Sequence, residues 1–191
     1  TQSLVREMNI EGVRLAKEAA KKYATENSPK FVAASIGPMN KSASISPDMA
    51  DPSKRSVSFG ELMAAYKEQM AALKEAQADL FLLETTFDGL NAKAAIYAYL
   101  DLFENESERI PIAVSMTVSD ASGRILSGQT IEAFYNSIEH CNPLFVGLNC
   151  SLGADKMRPY IETFNRIAKC YTHCYPNAGL PNPLSESGYD Q

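Results

Sequence analysis

The sequence predicts an α/β fold in which a parallel sheet carries helices on both faces. Three observations lead there. Short, continuously apolar, β-rich runs alternate with helical segments along the chain, without the in–out alternation of a sheet half exposed to water. The helical segments open on capping residues, with Ser58 three residues before Glu61, then Asp88, then Thr130. The polar residues collect at the C-terminal ends of the apolar runs: Gly37-Pro38, Glu84-Thr85-Thr86, Thr117, Asn149-Cys150 and Asn177. In a parallel α/β protein that edge is where loops converge on ligands, and so many polar strand ends favour the mouth of a barrel.

The elements follow in order. Residues 1–24 place Leu4, Met8, Leu15 and Ala19 at near-helical spacing with charges between them, an amphipathic helix. Phe31 to Ile36 reads as a buried strand stopped by Gly37-Pro38. The polar stretch from Met39 to Val57 exceeds the ~12–15 residues usual for a loop in a compact domain, which marks it as functional or disordered. The capping box at Ser58 starts a helix through Leu62, Tyr66, Met70 and Leu73. Asp79 to Glu84 is a second strand that ends in a carboxylate, and Asp88 caps a helix from Gly89 to about Phe103. Pro111 to Thr117 is the third strand, followed by a turn at Ser119 to Gly123. Thr130 caps a helix to about His140, and Leu144 to Cys150 is the fourth strand. A helix from about Ala154 to Lys169 contains Pro159, near its first turn or as a kink. Tyr171 to Tyr175 is the fifth strand, stopped by Pro176, and the tail from Asn177 to Gln191 reads as irregular. Counting by twos puts Val146, Leu148 and Cys150 on one face of their strand, and His173 and Tyr175 on one face of theirs with Cys174 opposite.

Composition narrows the function. The chain of 191 residues carries 18 Lys and Arg against 23 Asp and Glu, a net charge of −5 that repels phosphate backbones, so nucleic acid is not an expected partner. No apolar run approaches the ~20 residues of a membrane span, and the acidic first helix does not read as a signal peptide; a cytoplasmic setting is expected. There is no G-x-G-x-x-G after a strand and no G-x-x-x-x-G-K-[ST], which disfavours nucleotide binding. Four cysteines, Cys141, Cys150, Cys170 and Cys174, are too few for a disulfide scaffold, and two histidines exclude a three-histidine metal site within this chain. Taken singly, Glu84 reads as a lysine partner, a helix cap or a functional carboxylate. Cys150 reads as a small buried hydrophobe, a ligand or, with His173, a nucleophile pair. The spacing of Cys170 and Cys174 is not that of a structural zinc pair.

Longer stretches carry a resemblance. Ala34-Ser-Ile-Gly-Pro38, Ser42-Ala-Ser-Ile-Ser-Pro-Asp48, Asp79 to Thr86, Asp88-Gly-Leu-Asn-Ala-Lys-Ala94, Asp120-Ala-Ser-Gly-Arg124, Leu126-Ser-Gly-Gln-Thr130, Gly147-Leu-Asn-Cys150 and Tyr175-Pro-Asn-Ala-Gly-Leu-Pro181 resemble, in order, the homocysteine-binding domain of cobalamin-dependent methionine synthase. The long Ser/Asp/Pro loop resembles these synthases more than their betaine- or S-methylmethionine-dependent relatives.

The resemblance implies a (β/α)8 TIM-type barrel, truncated, with residues 1–191 covering about strands three to seven and lacking the first strands and the eighth. It implies zinc held by three thiolates, of which Cys150 matches one; the other two, an adjacent Cys-Cys pair, have no counterpart here. Glu84 matches the position that receives the substrate ammonium. Thr86 and Thr117 fall with it as substrate-binding positions, and Asn177 matches a position able to take zinc's fourth site. The implied reaction has zinc-bound homocysteine thiolate taking a methyl group from methylcobalamin. Cobalamin and 5-methyltetrahydrofolate would be carried by other domains of the parent chain. Catalytically silent scaffolding and a thiol hydrolase built on Cys150 are the rival readings. A truncated barrel is expected to expose its edges, with Phe31, Val32 and Ile36 on one side and Tyr171 and Tyr175 on the other losing packing.

Overall fold

The computed structural model describes residues 4–119, 122–186 and 188–190. Five strands, β1 (Ala33–Ile36), β2 (Leu80–Thr86), β3 (Ile112–Met116), β4 (Phe145–Asn149) and β5 (Tyr171–Tyr175), form one parallel sheet in sequence order. The helices α1 (Val5–Tyr23), α2 (Phe59–Glu75), α3 (Gly89–Leu102), α4 (Ile131–Ile138) and α5 (Ala154–Ile167) alternate with them. The expected α/β architecture is therefore present as a five-strand parallel sheet. Strand order that follows chain order, with a helix in each crossover, is the local pattern of a TIM-type barrel.

The helices start where the sequence places them because the caps form. Ser58 accepts from the Glu61 backbone while the Glu61 carboxylate accepts from Ser58, the reciprocal capping box that opens α2. Asp88 caps α3 through Leu90 and Asn91, and Thr130 caps α4 through Ala133. Asp88 also fixes the long loop. It accepts from the hydroxyls of Ser42 and Ser44 and from the Ser44 backbone, while Asn91 holds Ala43 N–H and Lys41 C=O. The loop is thus ordered and tied down on the start of α3.

One continuous core lies between the outer face of the sheet and the helices. Phe81, Leu83, Val114, Met116, Val146 and Leu148 pack there against Tyr66, Met70, Ile96, Phe134 and Phe164. The edges differ from expectation in part. Phe31, ahead of β1, is 75% exposed and Tyr171 69%, but Val32 and Ile36 are buried. The alternation of β1 turns Val32, Ala34 and Ile36 toward that core, while α1 packs along α2. Three boundaries also shift: β1 begins at Ala33, α4 tightens into a 3₁₀ turn at Glu139–Cys141, and the tail forms a short antiparallel pair, β6 (Leu180–Pro181) with β7 (Tyr189–Asp190). Of the expected turn at 119–123, Asp120 and Ala121 lie outside the described residues.

The sheet curls toward its inner face. In a flat sheet β2 and β5 stand three inter-strand spacings apart, about 14 Å. Yet the Tyr175 hydroxyl on β5 donates to the Glu84 carboxylate on β2 at 2.9 Å. Gly147 allows the inner face to close up, since a Cβ there would meet the His173 backbone oxygen at 1.9 Å.

Candidate functional site

The site is built where strand ends break the period-2 rule. Between Leu83 and Thr86 the register of β2 against β3 shifts, and Thr85 takes a left-handed φ of 57°. Such a bulge reverses the phase of the strand beyond it. Thr86, which alternation would group with Leu82 and Glu84, is instead buried and lines a small cavity with Tyr66, Leu83 and Ala92, where among the described residues its hydroxyl has no hydrogen-bond partner. Thr85 takes the inward place. The end of β4 does the same. Alternation groups Cys150 with Val146 and Leu148, which are buried under helices, but left-handed φ values of 59° at Cys150 and 62° at Ser151 turn the chain. Cys150 Sγ therefore lies 3.1 Å from Asn149 Nδ2 and 4.0 Å from Thr85 Oγ1.

Asn149, 1% exposed, ties three strands together. Its Oδ1 accepts from the Ser115 hydroxyl at 2.6 Å and the Thr85 N–H at 3.1 Å. Its Nδ2 donates to Thr85 Oγ1 at 2.8 Å and to Cys150 Sγ. Two donors on one side and two acceptors on the other leave a single sensible orientation for the amide. Thr117 adds a bond from its hydroxyl to the Asn149 carbonyl at 3.1 Å, and its N–H donates to the Thr86 carbonyl.

Glu84 sits one residue before the bulge, facing inward. One of its oxygens accepts from Ser35 Oγ on β1 and the other from Tyr175. Burial, together with the adjacent carboxylate, pushes the Tyr175 phenol well up, so it stays protonated as a donor. His173 lies deeper on the same inner face. Its ring stacks on Tyr175 with centroids 5.4 Å apart and meets Phe145 edge-on, and among the described residues its Nε2 is buried without a hydrogen-bond partner. Burial lowers its pKa, against a smaller opposing pull from Glu84, so the ring is a neutral filler of the interior.

Asn177 follows β5 at the same edge. It is exposed, donates its backbone N–H to the Leu152 carbonyl, and lines a shallow cleft with Gly153, Ala154 and Asp155 at the start of α5. Glu84, Thr85, Thr117, Cys150 and Asn177 thus share the C-terminal edge of the sheet. Sequence reading assigned a role to each of these but Thr85, and none to Ser35, Ser115, Asn149 or Tyr175. The detectable signal was a small or polar residue at the inward phase of each successive strand.

The other cysteines lie elsewhere. Cys141 is buried and its thiol pKa is pushed up to about 12; burial also raises Cys170 and Cys174, and Cys174 points at Met157. Among the described residues no three of His, Cys, Asp and Glu gather as a metal-binding group, so Cys150 is a single thiol donor at the mouth. Among the described residues no helix is long and apolar enough to cross a membrane.

These features define an α/β protein whose inward strand ends present a carboxylate and a thiol at one edge. The homocysteine S-methyltransferase family model matches residues 1–191, and the chain belongs to that family. Its fold is similar to that of the homocysteine methyltransferase MmuM from Escherichia coli. The apo form superposes with a TM-score of 0.69 at 20% identity over 94% of this chain and 62% of that one. The metallated form gives 0.71 at 22% identity over 91% and 59%, and the oxidized form 0.70 at 20% over 90% and 57%. The chain thus spans about three fifths of the length of these structures.

Proposed function

We propose that this chain is the homocysteine-binding part of a methionine synthase, corresponding to about strands three to seven of a (β/α)8 barrel and working in the cytoplasm. The observation that carries the reading is that Glu84 and Cys150 share one edge, Glu84 facing inward just ahead of the β2 bulge and Cys150 turned there by the left-handed end of β4. A thiol-bearing amino acid offers the complementary groups. Its ammonium suits the Glu84 carboxylate through a charge-assisted hydrogen bond, and its sulfur belongs on the Cys150 side of the mouth.

Zinc is part of this reading, with Cys150 as one thiolate donor and Asn177 as an exchangeable one. The described residues do not complete such a site, so the remaining thiolates would come from outside this sequence. When bound, zinc makes a thiol a thiolate at neutral pH. The work of this chain's own residues is separate: Glu84 binds and orients the amino acid, Asn149 aims Cys150 Sγ, and Thr117 and the Thr86 carbonyl brace the strand ends behind them. The methyl donor would be methylcobalamin, with cobalamin and 5-methyltetrahydrofolate held by other domains of the same protein.

A thiol hydrolase needs a base against Cys150, whereas its neighbours are the Asn149 amide and the Thr85 hydroxyl, and neither is one. The test is a pair of variants in the full-length protein. Cys150→Ala is expected to lose stoichiometric zinc and homocysteine methylation. Glu84→Ala is expected to keep zinc and lose homocysteine affinity. Zinc retained at full stoichiometry with normal turnover in Cys150→Ala would refute the assignment.

A further inference from the structure

Glu84 is held by two hydroxyls from opposite sides of the arc. Ser35 comes from the neighbouring strand, but Tyr175 reaches across from β5, three strands away. The phenol is placed for this by its ring, which is stacked on His173. Cys150 is in the same neighbourhood, because its N–H donates to the Tyr175 carbonyl at 3.3 Å. One residue therefore connects the carboxylate side of the mouth with the thiol side.

We infer that Tyr175 is a positioning residue that sets Glu84 for a primary ammonium group and so gives the site its preference for an amino acid over other thiols. The inference rests on the reading of Glu84 as the ammonium partner. Each carboxylate oxygen accepts one hydroxyl proton and keeps a second lone-pair direction free. With both oxygens fixed, the free directions point at one place on the inner face rather than sweeping through rotamers. Both hydroxyls donate to the carboxylate, and a ligand group filling the remaining directions must also be a donor. An ammonium supplies three, whereas a carboxylate or ether end supplies none. A tyrosine also spans the distance with few rotatable bonds, so little freedom is lost in holding the contact.

The test is calorimetric titration of the full-length protein with L-homocysteine and with 4-mercaptobutyrate, which keeps the thiol and carboxylate but lacks the ammonium. Tyr175→Phe keeps the ring and its stack on His173. It is expected to weaken homocysteine about five- to tenfold, as for a partly exposed hydrogen bond to a charged group, and to leave 4-mercaptobutyrate unchanged. Glu84→Gln is titrated alongside. Loss of discrimination in Glu84→Gln with full discrimination in Tyr175→Phe would overturn the role of Tyr175 and leave the Glu84 reading standing. Full discrimination in both variants would overturn the Glu84 reading itself. An equal loss for both ligands in Tyr175→Phe would show a packing role only and would also overturn the inference.

Discussion

Replacing Asn149 with alanine tests the hub on which the mouth is built. The substitution removes the acceptor of the Ser115 hydroxyl, on a residue that is 0% exposed, and the acceptor of the Thr85 N–H. A buried donor left without a partner costs about 1–3 kcal/mol, so the two together cost about 2–6 kcal/mol, with a small cavity in addition. Thr85 also loses the anchor of its left-handed turn. We expect Asn149→Ala to lose about 3–4 kcal/mol, a large share of the roughly 5–15 kcal/mol that holds a native protein together. Urea unfolding followed by circular dichroism measures this as a fall in midpoint at constant slope. Asn149→Asp keeps acceptors for Ser115 and the Thr85 N–H, and Thr85 Oγ1 and the Cys150 thiol can turn to donate to it, so it is expected to lose less. A loss below about 1 kcal/mol in Asn149→Ala would refute the hub.

Three further outcomes are expected. Burial alone would raise the Asp88 carboxyl, but the donors from Ser42, Ser44 and Asn91 outweigh it and hold it below its ordinary 3.8. Its stabilising contribution is therefore complete above that value and lost as pH falls through the depressed one; Asp88→Asn should cost about 2 kcal/mol at pH 7, with the gap closing in acid unfolding series below pH 3.8. His173 has a folded pKa depressed by burial, so the unfolded chain binds the proton first and the wild type loses stability as pH drops below 6.5. His173→Phe removes that loss, and urea midpoints at pH 7 and about pH 5 should show the variant gaining on the wild type as the pH falls. Cys141, with its thiol pushed up to about 12 under α4 and β4, should be the last cysteine alkylated by iodoacetamide at pH 8, followed by peptide mass mapping; labelling of Cys141 before Cys150 would contradict the burial described.

The order of elements was legible because caps and apolar runs are local signals. Ser58 with Glu61, Asp88 and Thr130 each satisfy orphan N–H groups within three residues, and no distant contact is needed to recognise them. The edge that carries the site was legible for the same reason: Glu84, Thr117, Cys150 and Asn177 all follow apolar runs. The facing of side chains was not. Alternation holds only while φ stays extended, and at Thr85 and Cys150 it does not, so Thr85 rather than Thr86 takes the inward place, and counting by twos grouped Cys150 with Val146 and Leu148. The roles of Tyr175 and Ser35 were not legible because their meeting at Glu84 depends on the curl of the sheet, which no spacing within one strand encodes. The burial of Val32 and Ile36 beside an open edge likewise depends on alternation in β1 and on where α1 and α2 come to rest.

The central claim is that Glu84 and Cys150 take opposite ends of one thiol amino acid. A crystal structure of the full-length protein with homocysteine, with anomalous data collected at the zinc edge, tests it most directly. The account predicts the ligand nitrogen within hydrogen-bonding distance of the Glu84 carboxylate, and the ligand sulfur sharing one metal ion with Cys150 Sγ. Homocysteine bound away from Glu84, or a zinc ion without Cys150 among its ligands, would contradict it.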